Sequence, residues 1–475
     1  MYHRLFSFIC LYCFLNSGFA TSQSFQSRRA LAPGVDERVE LLSIVFRLAG
    51  NFEYNMNTLP AYSTDIDRYF APYKDHPAVQ MAHALADTNG TGFDAVMAMA
   101  ISISAPPELK PLVAFTPTTP DKRWTADAEK FLPLLRSFYR ASRFGDFYAA
   151  HRTMYRVAEE RFAATLGAVD FGWYPRFYGK AGDLAYSLIL GMNNGGANYG
   201  PRLVYPDGRI ELFSIIGCWT HDDRGNPTYP PDRAYLATII HEFNHSFVNP
   251  AVREHWKDFS GSQQVYVTVA DQMRQMDYGD EETMVNESLV RAAVILYFRH
   301  TGEDDHKNIR RIREEQLNGF FWMDHLVENL SRYGAQRARY PTFSSYVPQI
   351  AMFYRDLATH ASAEAAAFNA KCAHVIDLEP FANHAQKVEA SVTTITIVVD
   401  KPLDPSAGYS INRETGADEQ FPIVGTPEFQ AGGLHIQLPV RLKPNQSYGF
   451  MLTPTAFATS DGYPLASYKV DFRTK

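Results

Sequence analysis

Residues 231–250 read PDRAYLATIIHEFNHSFVNP, and within them His241, Glu242 and His245 form H-E-x-x-H. On a helix, positions i and i+4 stack on one face, so both imidazoles can reach a single metal ion. Glu242 lies about 100° round the helix. It is close enough to take a proton from water at the metal without being a ligand itself. The chemistry this pattern suits is zinc-assisted hydrolysis, which takes three protein ligands and an open fourth position.

The third ligand must come from elsewhere. The version of the pattern with a third His six residues past the second is excluded, because Ala251 stands there and Val248 stands at its usual Gly. His255, in REHWKDF, reads as a solvated loop or helix start. Glu287 is the better candidate. It lies in DEETMVNESLVRAAVILYFRH, a predicted helix whose Asp280, Glu281 and Glu282 suit the positive N-terminal end. Past that first turn Glu287 shares a face with Met284, Val290, Arg291 and Val294. A half-buried carboxylate needs a partner. Arg291 at i+4 supplies one, as a salt bridge or as the outer partner of a metal-bound carboxylate. The Asn286-Glu287 pair also resembles the N-E pair that supplies the glutamate ligand in gluzincin peptidases. That resemblance implies one zinc ion on His241, His245 and Glu287, with Asn286 and Arg291 beside it.

These residues need a scaffold. Helical spacing over 35–49 puts Val39, Leu42, Ile44, Val45 and Leu48 largely on one side. Residues 76–105 predict two helices broken at Asn89-Gly90-Thr91-Gly92. Residues 127–169 predict one or two long helices. From Leu184 to Trp219 short apolar runs alternate with Gly, Asn and Pro, which predicts a β-meander with a hairpin at Asp207-Gly208. Helical texture returns at Pro231, with Asp232 near the start of the metal helix and Asn249-Pro250 stopping it. It persists to about Phe368. Near Leu378–Gln386 it gives way to β-branched runs punctuated by Pro and Gly, the spacing of a small antiparallel sandwich. The predicted class is α+β. A mainly helical domain spans 21–384, with a helical part to about 180, the meander at 184–219 and the metal helices at 231–300. A β-sandwich follows at 385–475.

Several stretches carry a family resemblance: RVELLSIVFRLAGNFEYN, MNNGGANYG, FSIIGCW, HEFNHSFVNP and VNESLVRAA. Together they resemble domain-of-unknown-function family 4932 across roughly residues 35–360. Its members are similar to zincin-type metallopeptidases and are mostly predicted to be exported. The resemblance implies His241 and His245 as ligands, Glu242 as base and Glu287 as third ligand. It implies no particular substrate. Asn244 stands where members usually have Ser, at a position facing away from the metal. TTITIVVDKPLD, LPVRLKPNQSYGFML and DGYPLASYKVDFRT resemble bacterial Ig-like modules, which implies a surface or glycan-facing role for the last 90 or so residues.

If the site is zincin-like, Glu242 passes the water proton to the leaving amine, and a further donor must meet the developing oxyanion. In gluzincins a Tyr or His does so. Tyr346 and Tyr199 are the candidates here. The hairpin 203–216 is expected to offer an edge to an extended peptide, and Asn193-Asn194-Gly195-Gly196 a mobile rim or a plain surface loop.

Composition narrows the remaining classes. A formal net charge of −7 disfavours a nucleic-acid role. Residues 1–20 read as a secretory leader, with Arg4, an apolar run and Gly18-Phe19-Ala20. The protein is therefore expected to be exported, to periplasm, cell surface or medium. Arg4 is the leader's only formal charge, so the mature net charge would be −8, and Cys218 and Cys372 would be the cysteines left. No other run approaches the length of a membrane span. There is no G-x-S-x-G, no phosphate-binding G-x-x-x-x-G-K and no G-x-G-x-x-G. The expected function is an exported zinc peptidase acting on peptides or proteins. The alternatives are a surface binding protein with a structural zinc, and an HExxH hydrolase of non-peptide amides.

Overall fold

A computed structural model describes residues 32–117, 119–179, 184–229, 233–413, 420–454 and 456–475. The expected leader and Asp232 lie outside these. The class is α+β, as predicted. Helix α1 (Glu37–Ala49) is the hub of the first half. Asp36 caps it by accepting from Arg38 N, and Gly50 ends it at φ 100, a left-handed conformation that suits glycine. Every residue from Val39 to Arg47 is buried. The expected one-sided helix is thus a central one, wrapped by its neighbours. Those are α2 (Pro60–Phe70), α3 (Pro77–Asn89), α4 (Phe93–Ile101), α5 (Ala128–Ala141), α6 (Phe144–Ala150), α7 (Arg152–Leu166) and α8 (Trp173–Tyr178). The break between α3 and α4 falls where the glycines predict it. The one or two long helices expected over 127–169 are three, because the chain turns at Arg143, whose φ is 52, and again at His151.

The sheet that follows differs from the predicted meander. Strands β1 (Leu184–Gly191), β2 (Arg202–Val204) and β3 (Ile210–Gly217) lie in the order β1-β3-β2. The hairpin at Asp207-Gly208 is present, closed by Tyr205 N to Arg209 O at 2.9 Å with Gly208 at φ 84. β1, however, runs parallel to β3, with Leu184 opposite Ile210 and Gly191 opposite Gly217. The two most apolar strands sit side by side, and the short β2, with exposed Arg202 and Val204, takes the edge. A small ribbon of β4 (Thr220–His221) and β5 (Pro227–Thr228) completes this region.

The helical second half comprises α9 (Arg233–Glu254), α10 (Ser262–Gln275), α11 (Glu281–His300), α12 (Asp305–Leu317), α13 (Met323–Ala335), α14 (Phe343–Ala358) and α15 (Ala361–Lys371). α9 does not stop at Asn249-Pro250. Proline removes the N–H that would bond Ser246 O, and Arg202 Nη1 reaches that carbonyl at 3.4 Å instead, so the helix continues for another turn.

The last strands are β6 (Val375–Glu379), β7 (Thr394–Val399), β8 (Ile411–Asn412), β9 (Glu428–Gln430), β10 (His435–Pro439), β11 (Ser447–Leu452) and β12 (Tyr468–Arg473). They form two sheets, β6-β7-β10-β9 and β12-β11-β8. Ile395, Ile397, Ile436 and Leu438 of one share a core with Phe450, Leu452, Val470 and Phe472 of the other. β6 already pairs with β7, so this unit starts about ten residues before the expected boundary at 385. Cys218 and Cys372 are separate buried thiols. Among the described residues no helix is long and apolar enough to cross a membrane.

One buried acid in α1 sets a testable property. Glu40 is fully buried and accepts from Tyr62 OH and from Met192 N, each at 2.7 Å. Burial pushes its carboxyl up to about 7, despite these bonds and one from the Asn193 backbone. The folded state therefore holds this proton more tightly than the unfolded chain. The resulting stability is complete below pH 4.5 and is lost as pH rises through about 7. Urea unfolding at pH 5 and pH 8.5 should show wild type losing roughly 2–3 kcal/mol that Glu40→Gln does not lose. Equal pH slopes would assign the effect to other groups.

Candidate metal centre

The centre is built where α9 packs on α11. His241 and His245, one turn apart on α9, bring their Nε2 atoms to 3.1 Å. Glu287 faces them from α11, with Oε2 3.5 Å from His241 Nε2 and Oε1 3.4 Å from His245 Nε2. Tetrahedral zinc ligands at about 2.0–2.1 Å from the ion lie roughly 3.3–3.4 Å from one another. The three separations lie close to that spacing, with each imidazole measured to its own carboxylate oxygen, and one ligand atom from each residue lies within 4.8 Å of the others. Two imidazoles and a carboxylate are also a donor set zinc accepts, so residues and spacing both fit the ion. Among the described residues, these three form the group of His, Cys, Asp and Glu side chains able to share a metal.

Electrostatics prepare the same set. Burial, aided by His245 and Arg291 and opposed by Glu287, pushes His241 down to about 3. Its imidazole is neutral and keeps a lone pair for a metal. Burial alone would raise the Glu287 carboxyl. His245, His241 and Arg291, with a hydrogen bond from Tyr278, outweigh it and hold the group below the usual carboxylate range. Burial and the Glu287 charge push Glu242 well up, with Arg291 opposing.

The outer partners are only partly those predicted. Arg291 is in place, its Nε 3.5 Å from Glu287 Oε2. Asn286, the preceding residue, has a buried Oδ1 without a hydrogen-bond partner. Three partners went unpredicted. Tyr278, in the turn after α10, donates its hydroxyl to Glu287 Oε2 at 2.9 Å and accepts from Arg291 Nη2 at 2.9 Å. Glu315 on α12 accepts from Arg291 Nη1 at 2.7 Å. Asn249 meets His245 Nδ1 through Oδ1 at 3.2 Å, so that ring nitrogen donates and Nε2 is left to bind. The i+4 spacing of His245 and Asn249 carried this last signal.

Glu242 is 6% exposed and lies on a cleft of about 290 Å³ between α9, α11 and α12. His241 and Glu242 stand on one wall, Arg291 and Val294 on the second, Arg311 and Glu315 on the third. The backbone before β2 presses on the base: a Cβ at Gly200 would lie 1.9 Å from Glu242 O.

Other expectations fail here. Tyr346 packs against Tyr333 and Tyr340 and donates to Asn329 O at 3.1 Å, because α14 turns that face toward α13. Tyr199 is buried. Its pKa is driven well up by burial first and then by the charges of Glu53, Asp94 and Glu242. Neither tyrosine lines the cleft. His255 meets Asp258 and Ser344 instead of the metal group. β3 is not itself an edge, having β1 and β2 as neighbours and Tyr199 bridged at Ile215, so the edge the hairpin presents is the short β2. Asn193 and Asn194 are buried, Glu40 holds Met192 N and Trp219 Nε1 holds Gly196 O at 2.9 Å. That loop is a pinned brace, neither a mobile rim nor a plain surface loop.

Zinc titration separates these roles. Glu287→Ala should weaken zinc binding at least 100-fold and Tyr278→Phe roughly 10-fold, measured against a competing chelator. Unchanged affinity in Glu287→Ala would place the third ligand elsewhere.

No curated protein matches the chain. Among solved structures, that of surface layer protein SbsC, domains 1–6, aligns at 11% identity and a TM-score of 0.18, covering 52% of this chain and 34% of that one. The N-terminal part of the bacterial S-layer protein SbsC aligns at 12% and 0.17, covering 51% and 64%. This chain thus spans about a third of the length of the first, and superpositions this loose carry no argument. The family described as "Domain of unknown function (DUF4932)" matches residues 33–353, the stretch that holds every residue of the metal group and its partners, and the chain belongs to that family.

Proposed function

We propose that this chain is a zinc-dependent peptidase of the zincin kind. The observation that carries the reading is the clustered His241–His245–Glu287 set, half-buried histidines on a buried carboxylate, with Glu242 beside it on an open cleft. A structural site would have no use for that carboxylate. Zinc held by the three residues would polarise a scissile carbonyl, acidify the attacking water, and favour Glu242 as the carboxylate by its own charge.

The chain's own groups do the rest. Glu242 accepts the proton of the attacking water and returns it to the leaving nitrogen. Asn249 fixes the His245 ring, and Tyr278 and Arg291 fix the Glu287 carboxylate. Asn198 and Thr238 are neutral polar side chains that line the cleft. Peptides are the substrate class, with the scissile bond lying between the α9 and α11 walls. The apolar leader supports export, and the paired C-terminal sheets suit an Ig-like module.

Glu242→Gln tests the reading. The variant should bind about one zinc per chain, as wild type does, and lose peptide hydrolysis by roughly 100-fold or more, read by mass spectrometry on a peptide library. Full activity in the variant would remove Glu242 as base. Stoichiometric zinc with no hydrolysis in wild type would favour a structural ion.

A further inference from the structure

Helix α12 carries two sets of side chains on opposite faces. Ile309, Arg313 and Gln316 follow at i, i+4 and i+7 on one of them. Arg311, Glu314 and Glu315 lie about 180° round, at 100° per residue. The second set is the third wall of the cleft. Ile309 and Arg313 of the first set meet the C-terminal β unit, at the turn Thr459–Tyr463.

That contact is close and well ordered by its chemistry. The Arg313 guanidinium sits 4.0 Å from the centre of the Tyr463 ring. Arg313 Nη1 also donates to Gln316 Oε1 at 2.6 Å and lies 3.6 Å from Asp324 Oδ2 on α13, and Gln316 Nε2 donates to Phe321 O at 2.8 Å, so α12 and α13 together aim the guanidinium. On the same ring Lys371 Nζ lies 5.5 Å from the centre and Phe368 packs at 6.2 Å. Gly462, at φ 81, comes so near α12 that a Cβ there would lie 3.3 Å from Ile309 Cγ2.

The turn is braced as well. Thr459 N bonds Tyr463 O at 2.8 Å, Gly462 N bonds Thr459 O at 2.9 Å, and Tyr463 N bonds Thr459 Oγ1 at 3.0 Å. Next to it, Ala373, just past α15, pairs with Pro464 O and Ala466 N, each at 2.9 Å. Ala373 is itself part of the C-terminal core, so the joint between α15 and that unit lies beside the point where it touches α12.

We propose that the C-terminal β unit is a working part of the cleft. Through Tyr463 and Arg313 it holds α12 in place, and α12 presents the third wall and keeps Glu315 on Arg291. Tyr463 and Arg313 are positioning residues, since neither touches the metal group. The packing of α12 stands without any assigned reaction. The consequence for substrate rests on the peptidase reading.

The test uses the full-length zinc-loaded protein and Tyr463→Ala, with Tyr463→Phe as the variant that keeps the ring. Tyr463→Ala should raise amide hydrogen exchange over 305–317 by roughly 10-fold while exchange in α9 and the zinc content stay as in wild type. On a peptide the protein cuts, KM should rise about 5-fold or more with kcat within about 2-fold. Tyr463→Phe should behave as wild type in every readout. If Tyr463→Ala does not fold, Arg313→Met, which keeps the stem and removes the cation, should give the same α12 exchange effect in smaller degree. Unchanged exchange over 305–317 would overturn the proposal, as would an equal rise across α9 and α11. Should no peptide be cut by any of the proteins, the peptidase reading falls, and the exchange result alone still decides this one.

Discussion

A carboxylate buried as Glu287 is must have positive charge or donors against it, and much of the helical domain is arranged to supply them. Arg291 and Tyr278 do so from its own side, and the two imidazoles of α9 face it across the space a cation would fill. Arg291 is itself half-buried and needs a counter-charge, which Glu315 provides from α12. Each neutralisation thus recruits the next element, and the docking of α9, α11 and α12 follows. Buried ion networks seldom stabilise a fold more than apolar packing would. Their presence here makes sense as the means of presenting one ionised carboxylate opposite two imidazoles at fixed spacing.

The N-terminal half takes part from the other side. α1 is buried all round, and its Glu40 reaches the loop after β1 by binding Met192 N. Trp219 pins the same loop at Gly196. From there the chain runs through Asn198, on the cleft, to Gly200, which rests on the backbone of Glu242. The metal helix is therefore located both by its charges and by direct backbone contact with a loop that α1 holds.

What the sequence revealed about the centre was what local geometry dictates. His241, Glu242 and His245 are fixed by helical stacking alone. Glu287 stood out because a carboxylate on an apolar helical face must be paired. Asn249 obeys the same i+4 rule but was masked by Pro250, whose expected stop failed because Arg202 comes from a distant strand to take the freed carbonyl. Tyr278 reaches the site from a turn after Asp277, whose φ is 62, and no periodicity announces such a placement. Tyr346 shows the opposite error. Its distance along the chain suited another architecture, but α13 claims that face of α14. Strand composition was readable, whereas the parallel pairing of β1 with β3 depends on how a whole sheet sorts its apolar strands.

Position 200 has a consequence for how this protein can vary. Gly200 is not among the glycines at positive φ, so backbone conformation imposes nothing there. The restriction is that Glu242 O occupies the place of a Cβ, at 1.9 Å. A flexible side chain can rotate out of the way of a new methyl, but a peptide oxygen within a helix cannot. Even alanine would have to push the sheet away from the helix or shift the helix that carries the three central residues of H-E-x-x-H. Mutational drift is thus closed at this one site in both directions, since the loop cannot gain an atom and the helix cannot yield one.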